Sequence, residues 1–492
     1  MTHAIDWLAR RAELSPEAIA LVDIATGESV TYRAWNERTN RTAHLLANQL
    51  GVRAGDRVAV LAHNCPAYLD VWQACGKLGA ILVNLNWRLA ERELAEQLAL
   101  ATPSVIVYGP ELASVIPALR GACRGVAIGA PLDGDLALDE RAHASAANPG
   151  TAISVDDPWV ICFTGGSTGA PKGVILTHGN ILWNAINTVA SWGITASDVA
   201  ILNAPLFHTG GLNVFTAPLI YAGGTSLVCR GFEPDQVFDL MNRATLLFGV
   251  PTMFLALQAH PRWATANLAH LRLVISGGAP CPLPVFEAFW ARDVAFTTGY
   301  GLTEAGPNTF WLPREQVRAK PGAVGYPLMH VEVKLVDGEL LVRGPHVTPG
   351  YWNNPAATTA AIDDDGWLHT GDLAQRDADG AYSIVGRKKD MFISGGENVY
   401  PAEIENVHAA HPALAAAAVV GVPDPRWGEV GCAIVVRHAG AAIDEAGLRD
   451  HCRASLAAYK VPKRYLFVDA LPTTNVGKVD RRRLVEIASA SP

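Results

Sequence analysis

The sequence predicts an α/β fold: a large N-terminal domain built of α/β subdomains with a β-rich subdomain, followed by a small α+β C-terminal domain. Three observations carry this prediction. Between about Leu21 and Val228, short β-rich runs such as Val58-Ala59-Val60-Leu61 and Ala80-Ile81-Leu82-Val83 alternate with longer helical patterns. From Glu332 to Arg343 apolar and polar residues alternate, then Gly- and Pro-rich turns follow, the pattern of an all-β subdomain near 320–385. At Gly386-Arg387-Lys388-Lys389-Asp390 a charged segment separates that region from the C-terminal stretch. The expected division is therefore a body of residues 1–386, a boundary at 387–390 and a C-terminal domain of 391–492.

The elements follow in chain order. The opening MTHAIDWLARRAELSP reads as a short amphipathic helix ending near Pro16 and lacks the apolar core of a signal peptide. The apolar run Trp159 to Phe163 and the run Val174-Ile175-Leu176 are strands flanking a glycine-rich loop. Ser276-Gly277-Gly278-Ala279-Pro280 follows another strand and reads as a tight turn. Past the boundary, Pro401 suits the first turn of a helix, with Glu403 and Glu405 near its positive end. Two apolar strands then flank the turn Pro423-Asp424-Pro425-Arg426-Trp427-Gly428.

Composition narrows the function. Half of the 492 residues are hydrophobic and 17% are charged, which excludes a mostly disordered chain. With 39 Lys plus Arg against 47 Asp plus Glu, the net charge of -8 offers no general attraction to nucleic acid or anionic membrane. No segment supplies the roughly 18 consecutive apolar residues needed to span a bilayer. The eight cysteines are scattered without a C-x-x-C pair, which disfavours structural zinc and favours a reducing, cytoplasmic setting. A polyanionic ligand must find a local basic site. Between Arg453 and Arg483 eight Lys or Arg residues face only Asp469 and Asp480, an excess of six positive charges. That run is either such a site or a solvated face.

The sharpest chemical signal is Thr164-Gly165-Gly166-Ser167-Thr168-Gly169-Ala170-Pro171-Lys172-Gly173. Glycines let backbone approach phosphate oxygens, hydroxyls donate hydrogen bonds, and Lys172 supplies charge. Walker A chemistry is excluded because Pro171 precedes Lys172 and Gly173 follows it. Composition alone leaves a surface linker open.

This loop resembles the phosphate-binding signature of the adenylate-forming superfamily, which includes acyl-CoA synthetases, peptide-synthetase adenylation domains and luciferases. The family's other signatures follow in order: Asn203-Ala204-Pro205-Leu206-Phe207-His208 resembles the acyl-pocket motif and Thr298-Gly299-Tyr300-Gly301-Leu302-Thr303-Glu304 the adenine and metal motif. His369-Thr370-Gly371-Asp372 is similar to the ribose motif, Gly386 to Asp390 to the hinge, and Asn475-Val476-Gly477-Lys478 to the segment carrying the catalytic lysine.

The resemblance implies ATP, Mg2+ and coenzyme A as ligands and a carboxylic acid as substrate. Thr164, Gly166, Ser167, Thr168, Gly169 and Lys172 would hold the phosphates. Gly278, Ala279, Pro280, Thr298, Gly299, Tyr300 and Gly301 would line the adenine, while Asp372 and Arg387 would reach the ribose. Tyr300 has a flat face for stacking, Thr303 a hydroxyl for a phosphate oxygen, and Glu304 a carboxylate for Mg2+. Lys478 would bridge the substrate carboxylate and the α-phosphate, and His208 belongs with these catalytic residues. The pivot of a mobile C-terminal cap falls on Lys389. Gly395, Gly396, Trp427 and Lys460 would meet coenzyme A.

Two departures from the family pattern stand out: Gly165 replaces the usual Ser after the first Thr of the loop, and Val461 stands where some aryl-CoA ligases place arginine. His208 replaces the aspartate with which amino-acid-activating relatives bind the α-ammonium group, so an amino acid is disfavoured. Phe207, Gly210, Gly211, Val250, Met253 and Phe254 suggest an apolar pocket for a fatty or aromatic acid, and equally read as ordinary core residues. The expected activity is ATP-dependent acyl-CoA ligation through acyl-AMP, with loading of a carrier protein's phosphopantetheine thiol as the alternative.

Overall fold

The computed structural model describes residues 2–165, 171–395, 397–474 and 478–490. Two seven-stranded sheets form the body. In the first, Leu136–Ala137, Arg124–Ala127, Val105–Tyr108, Arg57–Leu61, Ile81–Asn84 and Pro158–Gly165 run parallel, and Pro171–Thr177 closes the edge antiparallel to Pro158–Gly165. In the second, Phe296–Thr298, Leu273–Ser276, Leu246–Gly249, Val199–Leu202, Thr225–Val228 and Ile19–Asp23 run parallel, with Ser29–Thr31 antiparallel at the edge. Near-continuous Val, Ile and Leu in the central strands fit sheets covered on both faces.

Helices between the sheets share one core with both of them. The helix Pro66–Leu78 shows why: Pro66 occupies its first turn, Gly79 ends it at φ 69°, and every residue between except Ala67 is buried. A Cβ on Gly76 would stand 2.6 Å from the Trp159 indole, so only glycine lets the helix settle this close to the strand. The helix His178–Trp192 packs alongside, capped by the Thr177 hydroxyl, which accepts from Asn180 N.

The alternating segment after Glu332 forms a four-stranded antiparallel sheet of Glu332–Val336, Glu339–Arg343, Leu368–Arg376 and Tyr382–Arg387. Its first hairpin turns at Asp337 (φ 50°) and Gly338 (φ 80°), the pair of positive φ angles that an Asp-Gly dipeptide favours. The last unit has a five-stranded sheet built on Leu414–Asp424 and Gly428–Arg437. Alternation sends Val419, Ala433 and Val435 to one face, against Ile404, Leu448 and Cys452, and Val420, Cys432 and Ile434 to the other, against Leu484 and Ala488. Pro401 does open a helix, Pro401–Ala409. Among the described residues, no helix is long and apolar enough to cross a membrane.

Candidate active site

Four parallel strands of the second sheet deliver candidate residues from their carboxyl ends, where open α/β sheets place ligands. Val199–Leu202 leads to Asn203 through His208, Leu246–Gly249 to Val250, Leu273–Ser276 to Gly277 through Pro280, and Phe296–Thr298 to Gly299 through Glu304. Backbone bonds tie the loops together: Gly277 N donates to Gly249 O (3.1 Å) and Gly299 N to Ser276 O (2.8 Å). Gly278 sits at φ 79°. A Cβ on Gly301 would meet the Pro307 carbonyl at 2.3 Å, so backbone packing demands glycine there.

The first sheet carries the strands that flank the candidate phosphate loop. Thr164 pairs with Lys172 and Gly165 with Pro171 at the end of a β-hairpin, as the two flanking apolar runs predict. Gly166, Ser167, Thr168 and Gly169 lie outside the described residues, as do Gly396 and Asn475-Val476-Gly477.

Around the adenine motif, the Tyr300 hydroxyl donates to Asp372 Oδ2 (2.6 Å) and Arg387 Nε pairs with Asp372 Oδ1 (2.8 Å). Asp372 is buried, and burial together with its charge holds the Tyr300 phenol well above its ordinary pKa. Thr303, Glu304 and Ala305 form a short turn. Glu304 Oε1 accepts a hydrogen bond from the Tyr351 hydroxyl (2.9 Å), and Glu304 O accepts from Thr348 N (2.7 Å).

Lys478 reaches this cluster from the C-terminal unit. Its Cε lies 3.9 Å from where a Cβ on Gly278 would stand. Crowding by protein lowers its pKa, the Arg387 cation lowers it further, and Asp372 opposes both. Its side chain is nonetheless exposed. His208 lies within reach of its charge: desolvation first, then the charges of Lys478 and Arg88, push its imidazole down to about 4. It is neutral at pH 7.

Beside His208, Phe207 is buried and the Arg88 guanidinium lies 5.6 Å from its ring centroid and 4.6 Å from that of Trp87. A small cavity is lined by Gly210, Gly211, Val214, Phe215 and Phe248. Val250 packs against Gly278 and the Met253 sulfur against Gly249. Phe254 takes the core alternative: it is buried edge-on against Phe289 and Phe296.

At the boundary, Lys388 Nζ pairs with the buried Glu339 (3.0 Å), whose Oε1 accepts from Gly371 N (3.1 Å); Lys389 is exposed. Gly395 and Trp427 come together, with Gly395 N donating to Trp427 O (2.8 Å) and the indole covering the glycine so closely that a Cβ would stand 2.9 Å from it. The basic C-terminal run is less bare than its sequence suggests. Lys460 donates to both oxygens of Glu403 (2.7 Å each), Arg481 pairs with Glu405 and Asp390, Arg453 with Asp450, and Arg483 with Glu486. Acids distant in sequence, or just outside the stretch, offset it. Val461 is a core residue at 3% exposure, so the missing arginine is a packing choice.

Sequence reasoning missed Tyr351, Glu339, Arg88 and Phe248. Tyr351 meets a carboxylate 47 positions away, a pairing no local spacing encodes. Arg88, next to Trp87, carried the one available signal, a cation beside an aromatic.

Two facing parallel sheets, a glycine-rich hairpin, an adenine-type loop bonded to a buried aspartate, and a lysine brought in by the C-terminal unit define an adenylate-forming enzyme. Comparison with known proteins agrees. The profile of the AMP-binding enzyme family matches residues 8–352, and that of the AMP-binding enzyme C-terminal domain matches residues 403–478. The chain belongs to this family. It is 43% identical to a feruloyl-CoA synthase of Amycolatopsis sp, covering 96% of each chain, and 37% identical to an indoleacetate–CoA ligase of Aromatoleum aromaticum, covering 98% of each. Among solved structures it resembles ATP-bound MatB from Rhodopseudomonas palustris (TM-score 0.91, 34% identity, 98% of this chain and 99% of that one). It also resembles o-succinylbenzoate coenzyme A synthetase (MenE) from Bacillus subtilis in complex with ATP and magnesium ion (TM-score 0.87, 31% identity, 98% and 100%).

Proposed function

We propose that this chain is an ATP-dependent acyl-CoA ligase that activates a fatty or aromatic carboxylic acid as acyl-AMP and then forms the acyl-CoA thioester. The carrying observation is the meeting of Lys478 with Gly278, His208 and the Asp372–Arg387 pair. The full-length relatives named for feruloyl-CoA and indoleacetate support the aromatic side of this range.

In the first step a carboxylate oxygen attacks the α-phosphorus and the bond to pyrophosphate breaks. Lys478, drawn toward the new phosphate and carboxylate oxygens, offsets charge as it develops there. Thr164, Lys172 and the loop residues 166–169 cradle the phosphates, assisted by Thr303. Gly278, Ala279, Pro280, Thr298, Gly299, Tyr300 and Gly301 hold the adenine. Asp372 accepts from ribose hydroxyls, with Arg387 beside it.

Among the described residues, no group of three or more His, Cys, Asp or Glu could hold a metal. Mg2+ takes one or two protein carboxylates and completes its shell with phosphate oxygens and water. Glu304 is the carboxylate that would hold it, and the ion would neutralise phosphate charge when bound.

In the second step the coenzyme A sulfur attacks the acyl carbonyl carbon, the bond to AMP breaks with its electron pair going to the phosphate oxygen, and the thiol proton passes to solvent water. Neutral His208 offers a hydrogen bond at that carbonyl without competing for its charge. Phe207, Gly210, Gly211, Val250 and Met253 surround the acyl group. Because Lys478 shields the carbonyl, the C-terminal domain (391–492) rotates on the body (1–386) through the hinge 387–390, with Lys389 as pivot. Gly395, Gly396 and Trp427 guide the pantetheine arm, and Lys460 exchanges Glu403 for a coenzyme A phosphate. The unpaired cysteines support a cytoplasmic setting.

Incubation with ATP, Mg2+ and a panel of fatty and aryl acids, with and without coenzyme A, tests this reading by product mass. Acyl-CoA is expected. Acyl-AMP that accumulates unchanged with coenzyme A favours a carrier protein's thiol as acceptor, and no acyl-AMP from any acid overturns the reading.

A further inference from the structure

Residues 348–352 bridge two motifs that are far apart in the chain. On one side the segment docks on the strand Pro171–Thr177 that carries Lys172: Ile175 N donates to Gly350 O (3.0 Å), Trp352 N to Gly173 O (2.7 Å), and the Thr348 hydroxyl to Ile175 O (2.6 Å). On the other side Thr348 N donates to Glu304 O (2.7 Å).

The bridge is held in one conformation. Gly350 has φ 143°, and a Cβ there would meet the Thr358 methyl at 2.4 Å. Thr358 Oγ1 in turn accepts from Tyr351 N (3.0 Å). The Tyr351 side chain is therefore aimed by its backbone. Its hydroxyl donates to Glu304 Oε1 (2.9 Å), and Lys172 Nζ lies 5.2 Å from its ring centroid. One side chain touches both the carboxylate and the ammonium that flank the place for the triphosphate.

A phenol can donate only one hydrogen, and here it goes to one defined carboxylate oxygen. That fixes the rotation of the carboxylate that would meet an ion. The ring face holds the Lys172 cation without consuming any of its three donors. We infer that Tyr351 is a positioning residue for the metal-bound triphosphate of ATP, orienting Glu304 through its hydroxyl and Lys172 through its ring. This rests on the ATP-dependent reading above.

The test uses full-length protein and no carboxylic acid. Mn2+ binding in the presence of α,β-methylene-ATP is measured from the loss of the free-ion electron paramagnetic resonance signal in wild type, Y351F, E304Q and the double variant. Y351F, which keeps the ring, is expected to weaken Mn2+ binding about tenfold, the lower end for a hydrogen bond to a charged group. In the E304Q background the same change should have less than a twofold effect, because the carboxylate it orients is gone. Steady-state adenylation by Y351F should recover as Mg2+ is raised, a dependence that general loss of structure would not show.

Equal Mn2+ affinity in wild type and Y351F overturns the inference and leaves the ligase reading intact. A tenfold loss that persists in E304Q also overturns it, because the effect then does not pass through Glu304. If wild type binds no Mn2+ with the nucleotide, the ATP-dependent reading falls together with the inference.

Discussion

Replacing Lys478 by Met keeps the length and apolar stem of the side chain and removes its charge. The structure places that charge beside Gly278, close enough to Arg387 and Asp372 for both to act on it, and to depress His208 in turn. A unit charge about 4 Å from a developing oxyanion, at an effective dielectric constant near 20, is worth about 4 kcal/mol, or roughly 10³ in rate. Losing one preorganised donor of this kind costs about 10² to 10³. Lys478→Met should therefore slow acid-dependent ATP–pyrophosphate exchange by ~10²- to 10³-fold. Thioester formation from supplied acyl-AMP should fall less than about tenfold, since that step does not need the cation at the α-phosphate. Exchange within tenfold of wild type, or equal loss in both half-reactions, would refute the assignment. A pH profile adds a second check. Burial and Arg387 lower the lysine's pKa, so in free enzyme the charge, and adenylation with it, is lost as pH rises at values below the ordinary 10.5. A bound triphosphate favours the charged form, so the alkaline limb of kcat should lie at higher pH than that of kcat/KM.

Three further outcomes follow from the structure. Gly301→Ala would drive a Cβ into the Pro307 carbonyl, which as backbone cannot yield; about 1–3 kcal/mol of stability and at least about tenfold in ATP affinity should be lost, as read by urea melts and calorimetry. Lys388→Ala removes the partner of buried Glu339 from an exposed cation, a change of about 1 kcal/mol or less. If the pair holds the boundary in the present arrangement, the ratio of the second half-reaction rate to the first should shift by up to about fivefold, and no change would disconnect the pair from rotation. His346 is fully buried and its pKa is pushed down to about 4 by desolvation. The unfolded chain binds the proton first, so stability is complete above pH 6.5 and falls as pH drops toward 4, by up to about 3 kcal/mol for this group. Denaturant melts of His346→Leu at pH 7 and pH 5 should show a smaller difference than wild type.

What could be read in the sequence was whatever is encoded within a few residues. The strand runs around Thr164–Gly173, the alternation from Glu332 to Arg343 and Pro401 at the head of its helix all rest on local propensity and backbone chemistry; the structure places each as an element, with the alternating stretch folded into a hairpin at Asp337-Gly338. Side-chain partnerships across sheets were not readable. Phe254 reads equally as pocket wall or core in sequence, and only the fold decides: it meets Phe289 and Phe296 edge-on, and together with Met253 it packs over Gly249 at the end of its strand. The partners of the basic run from Arg453 to Arg483 were hidden for the same reason. Net charge along a chain ignores Glu403, Glu405 and Asp390, which the fold sets against it.

Those pairings bear on how one site serves two steps. Asp372 already accepts from Tyr300 on one oxygen and pairs with Arg387 on the other. A carboxylate has about four acceptor positions, so ribose hydroxyls can join without displacing either partner. Nucleotide binding therefore need not break the Arg387 contact. Instead it adds negative charge beside Lys478 and Arg387, two cations that repel each other in the free protein. If the C-terminal unit rotates as proposed, that repulsion opposes its docking until ATP arrives and favours its release once pyrophosphate, with most of the compensating charge, has left; adenylation itself would then alter the charge balance around Lys478, with no dedicated trigger needed.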